Sequence, residues 1–89
     1  MKSLTDLPNI GKTLAAKLSR AGIHNAEQLK EMGSEDAIIK IATLENSGAC
    51  INMLCALEGA IQGIRWHDLE KGRKQELLEF IRRMKKDIK

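Results

Sequence analysis

The spacing of apolar residues between positions 50 and 64 limits the fold of this chain more than any other feature. Apolar or thiol side chains recur there at intervals of four and three, at Cys50, Leu54, Leu57, Ile61 and Ile64. An α-helix turns once every ~3.6 residues, so this spacing places all five side chains on one face. We therefore predict a helix over this segment, with a continuous buried stripe that makes it the central helix of the fold.

Two glycines of the same segment suggest a close packing contact. Gly59 and Gly63 lie four residues apart on one side of the predicted helix. Small residues at this spacing let another backbone approach closely. We expect a neighbouring helix to pack against them.

Glycines and capping residues define two helices before this one. A short turn over 3–6 and the sequence LPNIG lead into a helix that ends at Gly22, since glycine adopts the left-handed conformation common at helix C-termini. Asn25, with Gln28 three residues later, resembles a capping box and begins a second helix. Gly33 ends that second helix.

The same signals predict a third and a fifth helix. Ser34 is a natural N-cap for a helix over 35–44, and the residues 46–48 form a loop before the central helix. Asp68 is expected to cap the last helix. Its apolar face is predicted to consist of Leu77, Ile81, Met84 and Ile88, and its opposite face of Arg73, Arg82, Arg83 and Lys86.

Composition favours an all-α fold, a small five-helix domain. Most apolar residues are Leu, Ile, Ala and Met, with one Phe, one Trp and no Tyr, so residues that favour strands are scarce. A chain of 89 residues forms one small domain, which we assign to residues 1–89. No apolar run approaches the ~20 residues needed to span a bilayer, and no signal peptide is recognisable. We expect a cytoplasmic protein without a membrane partner.

The cysteines and histidines do not indicate a metal or a cofactor. Cys50 and Cys55 are the two cysteines of the chain, and five residues apart on a helix they point about 140° away from each other. Neither belongs to a CxxC pair, and His24 and His67 lie far away in sequence, which argues against zinc. We expect two buried thiols that pack as small apolar groups.

No arrangement of side chains indicates catalysis. Glu58 has no second acid, nucleophile or histidine at motif spacing, so we expect a half-buried structural carboxylate paired with a base or a helix N-terminus. Trp66 is expected to fill the core between the last two helices. His67 and Asp68 are expected to form a capped connector. We therefore predict that the protein is not an enzyme.

Charge is distributed unevenly along the chain. Residues 1–23 carry four basic groups and one acidic group, residues 24–70 three basic and eight acidic groups, and residues 71–89 eight basic and three acidic groups. Both ends are therefore basic and the middle is acidic. This asymmetry suits an anionic partner, although charged helix faces also serve solubility alone.

The sequence LPNIG predicts a type II turn that leads into an exposed helix end. Pro8 fixes φ near ~−65°, and Asn9 tolerates the positive φ that the next position of this turn requires. Gly11 has no side chain to keep a partner away. The backbone N–H groups at the start of a helix near Lys12 lack partners within the helix, and such an end attracts anions.

The run LPNIGKTLAAKL followed by AGI resembles the hairpin and second helix of the helix-hairpin-helix motif, whose usual form begins LPGIG. Members of that family hold a DNA phosphate with hairpin amides and do not read sequence. Because six residues precede Leu7, we expect the first helix of the motif to be at most a turn. The resemblance implies that the nucleic-acid-binding residues are Asn9, Ile10, Gly11, Lys12 and Thr13, with charge added by Lys17 and Arg20.

A broader resemblance covers nearly the whole chain. The sequence is similar to the C-terminal domain of the TfoX/Sxy family of bacterial competence regulators, and it lacks the N-terminal domain of full-length members, so we expect a stand-alone copy. The resemblance implies a helix-hairpin-helix or SAM-like fold. It rests on Asn52, Leu54, Ala56, Leu57, Glu58, Gly59, Ala60, Gln62, Gly63, Ile64 and Trp66.

Two functions remain open at this point. The first is a regulatory module that binds duplex DNA through residues 9–13, with help from the basic last helix. The second is an adaptor whose acidic middle segment and Gly59/Gly63 surface bind a protein partner. Neither the partner nor the oligomeric state follows from the sequence.

Overall fold

The computed structural model describes residues 3–44 and 50–87, with side chains up to residue 84. Within these ranges the chain is all-α, as predicted, and contains no strand. The helices are α1 (Lys12–Arg20), α2 (Ala26–Met32), α3 (Ser34–Leu44), α4 (Ile51–Gln62) and α5 (Lys71–Asp87), with short 3-10 helices at Leu4–Asp6 and Trp66–Asp68. None of the described helices is long and apolar enough to cross a membrane.

The predicted stops and one predicted cap are confirmed. Gly22 and Gly33 have φ values of 88° and 86°, and the chain leaves α1 and α2 at these glycines. The side-chain oxygen of Asn25 accepts a hydrogen bond of 2.9 Å from the Gln28 N–H. Positive φ at these glycines ends α1 and α2, and the Asn25 cap begins α2.

The central position of α4 is also confirmed. This helix contacts α2, α3, α5 and the 3-10 helix Trp66–Asp68. Leu54 and Leu57 are fully buried. The other large side chains that are fully buried come from α1, α2, α3, α5 and the turn after α1, and they are Leu18, Ile23, Leu29, Ile38, Ile41 and Leu77. One core therefore forms around α4.

The two cysteines differ in burial, contrary to the expectation of two buried thiols. Cys55 is buried, and burial raises the pKa of its thiol. Cys50 is exposed and precedes α4 as its N-cap, where its Sγ accepts a hydrogen bond of 3.4 Å from the Met53 N–H. Leu54 and Leu57 follow the predicted spacing into the core, but Cys50 caps the helix. Ile61 and Ile64 are partly buried, and Ile64 lies beyond the end of α4.

Two predicted N-caps are wrong. Ser34 is the first residue of α3, and its hydroxyl donates a hydrogen bond to Glu58. The Gly33 carbonyl accepts the first helical hydrogen bond, from Ala37. Asp68 lies within the second 3-10 helix, and the carbonyl of Glu70 begins the hydrogen bonds of α5. The predicted loop over 46–48 lies outside the described residues.

The predicted apolar face of α5 is confirmed where it is described. Leu77, Ile81 and Met84 are buried, whereas Ile88 lies outside the described residues. Arg82 and Arg83 are exposed on the other face, as expected. The side chain of Lys86 is not described.

Candidate nucleic-acid interface

The LPNIG turn has the predicted conformation and is anchored in the core. Asn9 has φ 70°, the positive value that a type II turn requires at this position. Leu7 and Ile10, on either side of the turn, are buried. The side chain of Ile10 therefore faces the core, and only its backbone can reach a ligand.

The Asn9 side chain fixes the turn to the C-terminal end of α4. Its amide nitrogen donates to the carbonyl oxygens of Ile64, at 2.9 Å, and Ala56, at 3.5 Å. Its oxygen accepts a hydrogen bond of 3.2 Å from the Trp66 N–H. The resemblance implied a DNA contact through the backbone amide of Asn9, and its side chain is turned inward, where it joins two segments distant in sequence.

Gly59 makes room for this brace. A Cβ added at Gly59 would lie 2.6 Å from the Asn9 amide nitrogen, 2.8 Å from the Ile64 oxygen and 3.2 Å from the Trp66 nitrogen. The first two separations are shorter than real Cβ contacts, and the third is unusually tight. The expected close approach therefore exists at Gly59, but the neighbour is the hairpin and not a helix. Gly63 serves a different purpose, as the left-handed residue that ends α4.

The start of α1 lacks a side-chain cap. Gly11 occupies the N-cap position and supplies no side-chain hydrogen bond, in contrast to Asn25 at α2 and Cys50 at α4. The first helical hydrogen bond of α1 runs from the Ala15 N–H to the Gly11 carbonyl. Gly11, Lys12 and Thr13 are exposed. The backbone N–H groups of this first turn therefore face an accessible surface.

The first turns of α1 and α4 share one open depression, here called the α1–α4 depression. It is lined by Gly11, Lys12, Thr13, Leu14, Lys17, Asn52 and Met53. No carboxylate belongs to this set. Each helix N-terminus carries a partial positive charge, and the two lysines add full charges, so this region is favourable for an anion.

The seven predicted site residues do not all converge. Gly11, Lys12, Thr13 and Lys17 line the α1–α4 depression. Arg20 lies in the last turn of α1, roughly 12 Å along the helix axis from its start. A cation there stabilises the negative end of the helix, which gives Arg20 a structural explanation.

Two residues of α4 also line the α1–α4 depression, and the helix-hairpin-helix resemblance did not imply either of them. Asn52 and Met53 lie in the first turn of α4. Asn52 is exposed and belongs to the set of residues that carries the family resemblance. That membership was the sequence signal for Asn52. The spacing of residues along the chain does not indicate that the start of α4 lies beside the start of α1.

Glu58 is a largely buried carboxylate with three hydrogen-bond donors. Ser34 Oγ and Gln62 Nε2 donate to it at 2.6 Å, and Arg73 Nη2 at 3.1 Å. Burial alone would raise the pKa of Glu58, but hydrogen bonds from Arg73, Ser34 and Gln62 outweigh it and hold that pKa below its ordinary value. The expected half-buried carboxylate paired with a base is therefore present, and it joins α3, α4 and α5.

Arg73 does not lie on the exposed charged face predicted for α5. In addition to Glu58, its guanidinium lies 3.5 Å from a carboxylate oxygen of Glu35 and 3.2 Å from one of Glu76. The hydrogen bond to Glu58 raises the pKa of Arg73 above its ordinary value. Arg73 pairs with three glutamates and therefore does not add to the exposed basic surface.

Trp66 is not the predicted core plug. Its side chain is 39% exposed, and its ring stacks on that of His67 with centroids 4.0 Å apart. Leu69, three residues later, is buried and fills the core at this connection.

Over residues 3–44 and 50–87, no group of three metal-binding side chains is close enough to hold an ion.

Comparison with known proteins places this arrangement in one family. The family model described as the TfoX C-terminal domain matches residues 1–81. The chain is 30% identical over 80 residues to the DNA transformation protein TfoX1 of Aliivibrio fischeri, and 36% identical over 77 residues to Protein Sxy of Escherichia coli. These matches cover 90% and 86% of this chain but only 38% and 36% of the two relatives.

A solved structure shares the same fold over nearly the full chain. The crystal structure of an uncharacterized protein from Listeria monocytogenes is 44% identical and superposes with a TM-score of 0.90, covering 93% of each chain. The family match, the relatives and the shared fold agree. The chain belongs to the TfoX C-terminal domain family.

Proposed function

We propose that this domain binds duplex DNA through the phosphate backbone, at the α1–α4 depression, without reading base sequence. The observation that carries the proposal is the uncapped, exposed N-terminus of α1, with Lys12 and Lys17 beside it. Backbone N–H groups and lysines recognise phosphate charge but carry no information about bases. A phosphate oxygen would take the place that a capping side chain fills at α2.

The glycine at the N-cap supports the proposal because the fold does not require it. Gly11 has φ −95°, a value open to every residue, and a Cβ added there would meet no atom within 4 Å. Gly59, by contrast, is required by its close neighbours. An unrequired glycine at an uncapped helix start allows close approach by a group outside the chain.

The names of the relatives suggest the biological setting. One of them is called a DNA transformation protein, and the chain spans less than two fifths of it. We extend this setting to the present domain as a non-enzymatic, cytoplasmic part of competence regulation that acts on transcription. Binding of DNA phosphates is the contribution we assign to it.

Fluorescence anisotropy with a labelled generic duplex tests the proposal. Two lysine–phosphate contacts predict that affinity falls roughly tenfold between about 50 and 200 mM salt. The double variant Lys12→Glu/Lys17→Glu is expected to lose most of the binding. Lys30→Glu/Lys40→Glu makes the same charge change at exposed positions of α2 and α3 and is expected to bind more tightly than the first variant.

Two results would contradict the proposal. One is the absence of binding by the unmodified chain at low salt. The other is equal loss in the two double variants, which would show that net charge and not the α1–α4 depression governs affinity. Duplexes of different sequence are expected to bind alike.

For the alternative function, a protein-interaction adaptor, we favour a different surface from the Gly59/Gly63 surface that the sequence suggested. Gly59 is buried beneath Asn9, so a Gly59/Gly63 surface is not open to a partner. The exposed Trp66 marks another surface, between α4 and α5.

A further inference from the structure

An apolar groove runs between the N-terminal halves of α4 and α5, here called the α4–α5 groove. Its apolar lining comes from Ile51 and Cys55 of α4 and Leu78 of α5. Its volume is about 430 Å³, within the range of ~300–1,000 Å³ typical of binding pockets.

The charged groups at this groove are all positive. Lys71 and Lys74 line it, and no carboxylate does so in the part of the chain that the structure describes. Lys74 is held near the groove, because its ammonium donates a hydrogen bond of 3.3 Å to the His67 carbonyl. The depressions around Arg73 differ, since glutamates line all three of them. The α4–α5 groove therefore complements a negatively charged ligand.

Trp66 gives the groove a preformed aromatic edge. Its ring lines the groove and stacks on His67, and its backbone N–H is held by Asn9. An aromatic side chain that is already positioned loses little entropy on binding, and exposed tryptophans of this kind dominate many protein interfaces.

We propose that the α4–α5 groove binds an acidic, amphipathic segment of a protein partner. An apolar side chain of that segment enters between Ile51, Cys55 and Leu78 and packs against Trp66. Carboxylates flanking it pair with Lys71 and Lys74. The apolar lining favours a protein over a nucleic acid, because single strands bind through successive aromatic platforms and this groove has one.

This proposal does not depend on DNA binding. The α4–α5 groove and the α1–α4 depression share one residue, Asn52, and are otherwise lined by different side chains. A partner in the groove can therefore be present whether or not DNA occupies the depression.

Selection from a phage-displayed random-peptide library on the intact chain tests this inference. The enriched peptides are expected to contain a large apolar residue flanked by aspartate or glutamate. Trp66 is the single tryptophan of the chain, so its fluorescence reports binding directly when the peptides lack tryptophan. Synthetic copies of the selected peptides are expected to shift its emission, and versions with lysine replacing the acidic residues are expected not to do so.

Matched variants separate the groove from the rest of the surface. Lys71→Glu/Lys74→Glu is expected to weaken peptide binding by roughly tenfold or more, since two attractive contacts become repulsive. Lys71→Glu alone changes an exposed side chain and repeats the test without disturbing the bond to His67. Lys30→Glu/Lys40→Glu is expected to leave peptide binding within about twofold, and thermal unfolding checks that each variant is folded.

The proposal is overturned if no peptide is enriched, if the enriched peptides lack acidic residues, or if the lysine variants bind them as the unmodified chain does. It is also overturned if a single-stranded oligonucleotide shifts Trp66 emission at lower concentration than the peptides. That last outcome would assign the groove to nucleic acid.

Discussion

The amide nitrogen of Asn9 lies 2.9 Å from the carbonyl oxygen of Ile64, although 55 positions separate the two residues in sequence. The same side chain accepts a hydrogen bond from the Trp66 N–H. One asparagine therefore joins the hairpin before α1 to the chain leaving α4. This side chain therefore links the hairpin beside the candidate DNA-binding surface to the edge of the α4–α5 groove.

Replacing Asn9 by glycine tests the importance of this contact. Glycine accepts the positive φ of position 9 and is the residue that the helix-hairpin-helix pattern usually has there. It nevertheless leaves the Ile64 carbonyl and the Trp66 N–H without their partner. We expect Asn9→Gly to lower the free energy of unfolding by about 1–3 kcal/mol in urea denaturation. An unchanged unfolding midpoint would show that water replaces the side chain without cost.

Gly59 and Gly72 form a matched pair for a second prediction. Gly59→Ala places a Cβ 2.6 Å from the Asn9 amide, so the brace must shift, and we expect a loss of roughly 2 kcal/mol or more. Gly72 lies in α5 with nothing within 4 Å of an added Cβ, so Gly72→Ala is expected to stabilise by up to ~1 kcal/mol. Denaturation of both variants checks the opposite signs. Destabilisation by both would contradict this explanation.

The features of the fold that were predictable depend on neighbouring residues. Gly22 and Gly33 end helices because glycine tolerates a positive φ, and Asn9 supports a tight turn because asparagine also tolerates it. The four-three spacing of Leu54, Leu57 and the residues around them correctly predicted the central helix. Each of these signals is complete within one or two helical turns.

The errors concern side chains whose environment comes from distant parts of the chain. Ser34 was predicted as an N-cap, but its hydroxyl donates a hydrogen bond to Glu58, 24 positions later. Arg73 looked exposed because its helical face is charged, yet it pairs with the same carboxylate. Trp66 looked buried because tryptophan is large and apolar. Neither periodicity nor composition contains the tertiary contacts that decide these cases.

The hairpin amides and Lys12 were predicted as DNA contacts from the sequence, and that role stays a prediction. The sequence did not indicate that the start of α4 lines the same depression as Lys12. Asn52 reaches the α1–α4 depression only because α4 begins beside the start of α1. The inward orientation of the Asn9 side chain also escaped prediction, because its partners near Ile64 are remote in sequence.

The Glu58 carboxylate predicts an acid-sensitive contribution to stability. Its folded pKa lies below the ordinary value of 4.5, so its charged form is favoured in the folded state. The resulting stabilisation is fully present above that ordinary value and is lost as the pH falls through the lower, folded pKa. Glu58→Gln is expected to cost about 1–3 kcal/mol at neutral pH and distinctly less near pH ~3. Urea denaturation at both pH values measures the difference.

Glu76→Gln is the control for that experiment. Glu76 also contacts Arg73, but its side chain is 66% exposed, so its removal is expected to cost less than ~1 kcal/mol. Equal losses in the two variants, or a Glu58→Gln loss that does not shrink on acidification, would contradict the role assigned to Glu58.

Gly11→Asp is expected to separate stability from DNA binding. An aspartate at the N-cap of α1 accepts hydrogen bonds from the first-turn N–H groups, so the free energy of unfolding is expected to stay equal or rise by up to ~1 kcal/mol. The same carboxylate occupies and repels the proposed phosphate position, so duplex affinity is expected to fall at least roughly fivefold. Asn25→Asp adds the same charge at the N-cap of α2 and is expected to change affinity little. Anisotropy and urea denaturation on both variants decide the matter, because undiminished DNA binding by a folded Gly11→Asp variant would remove α1 from the interface.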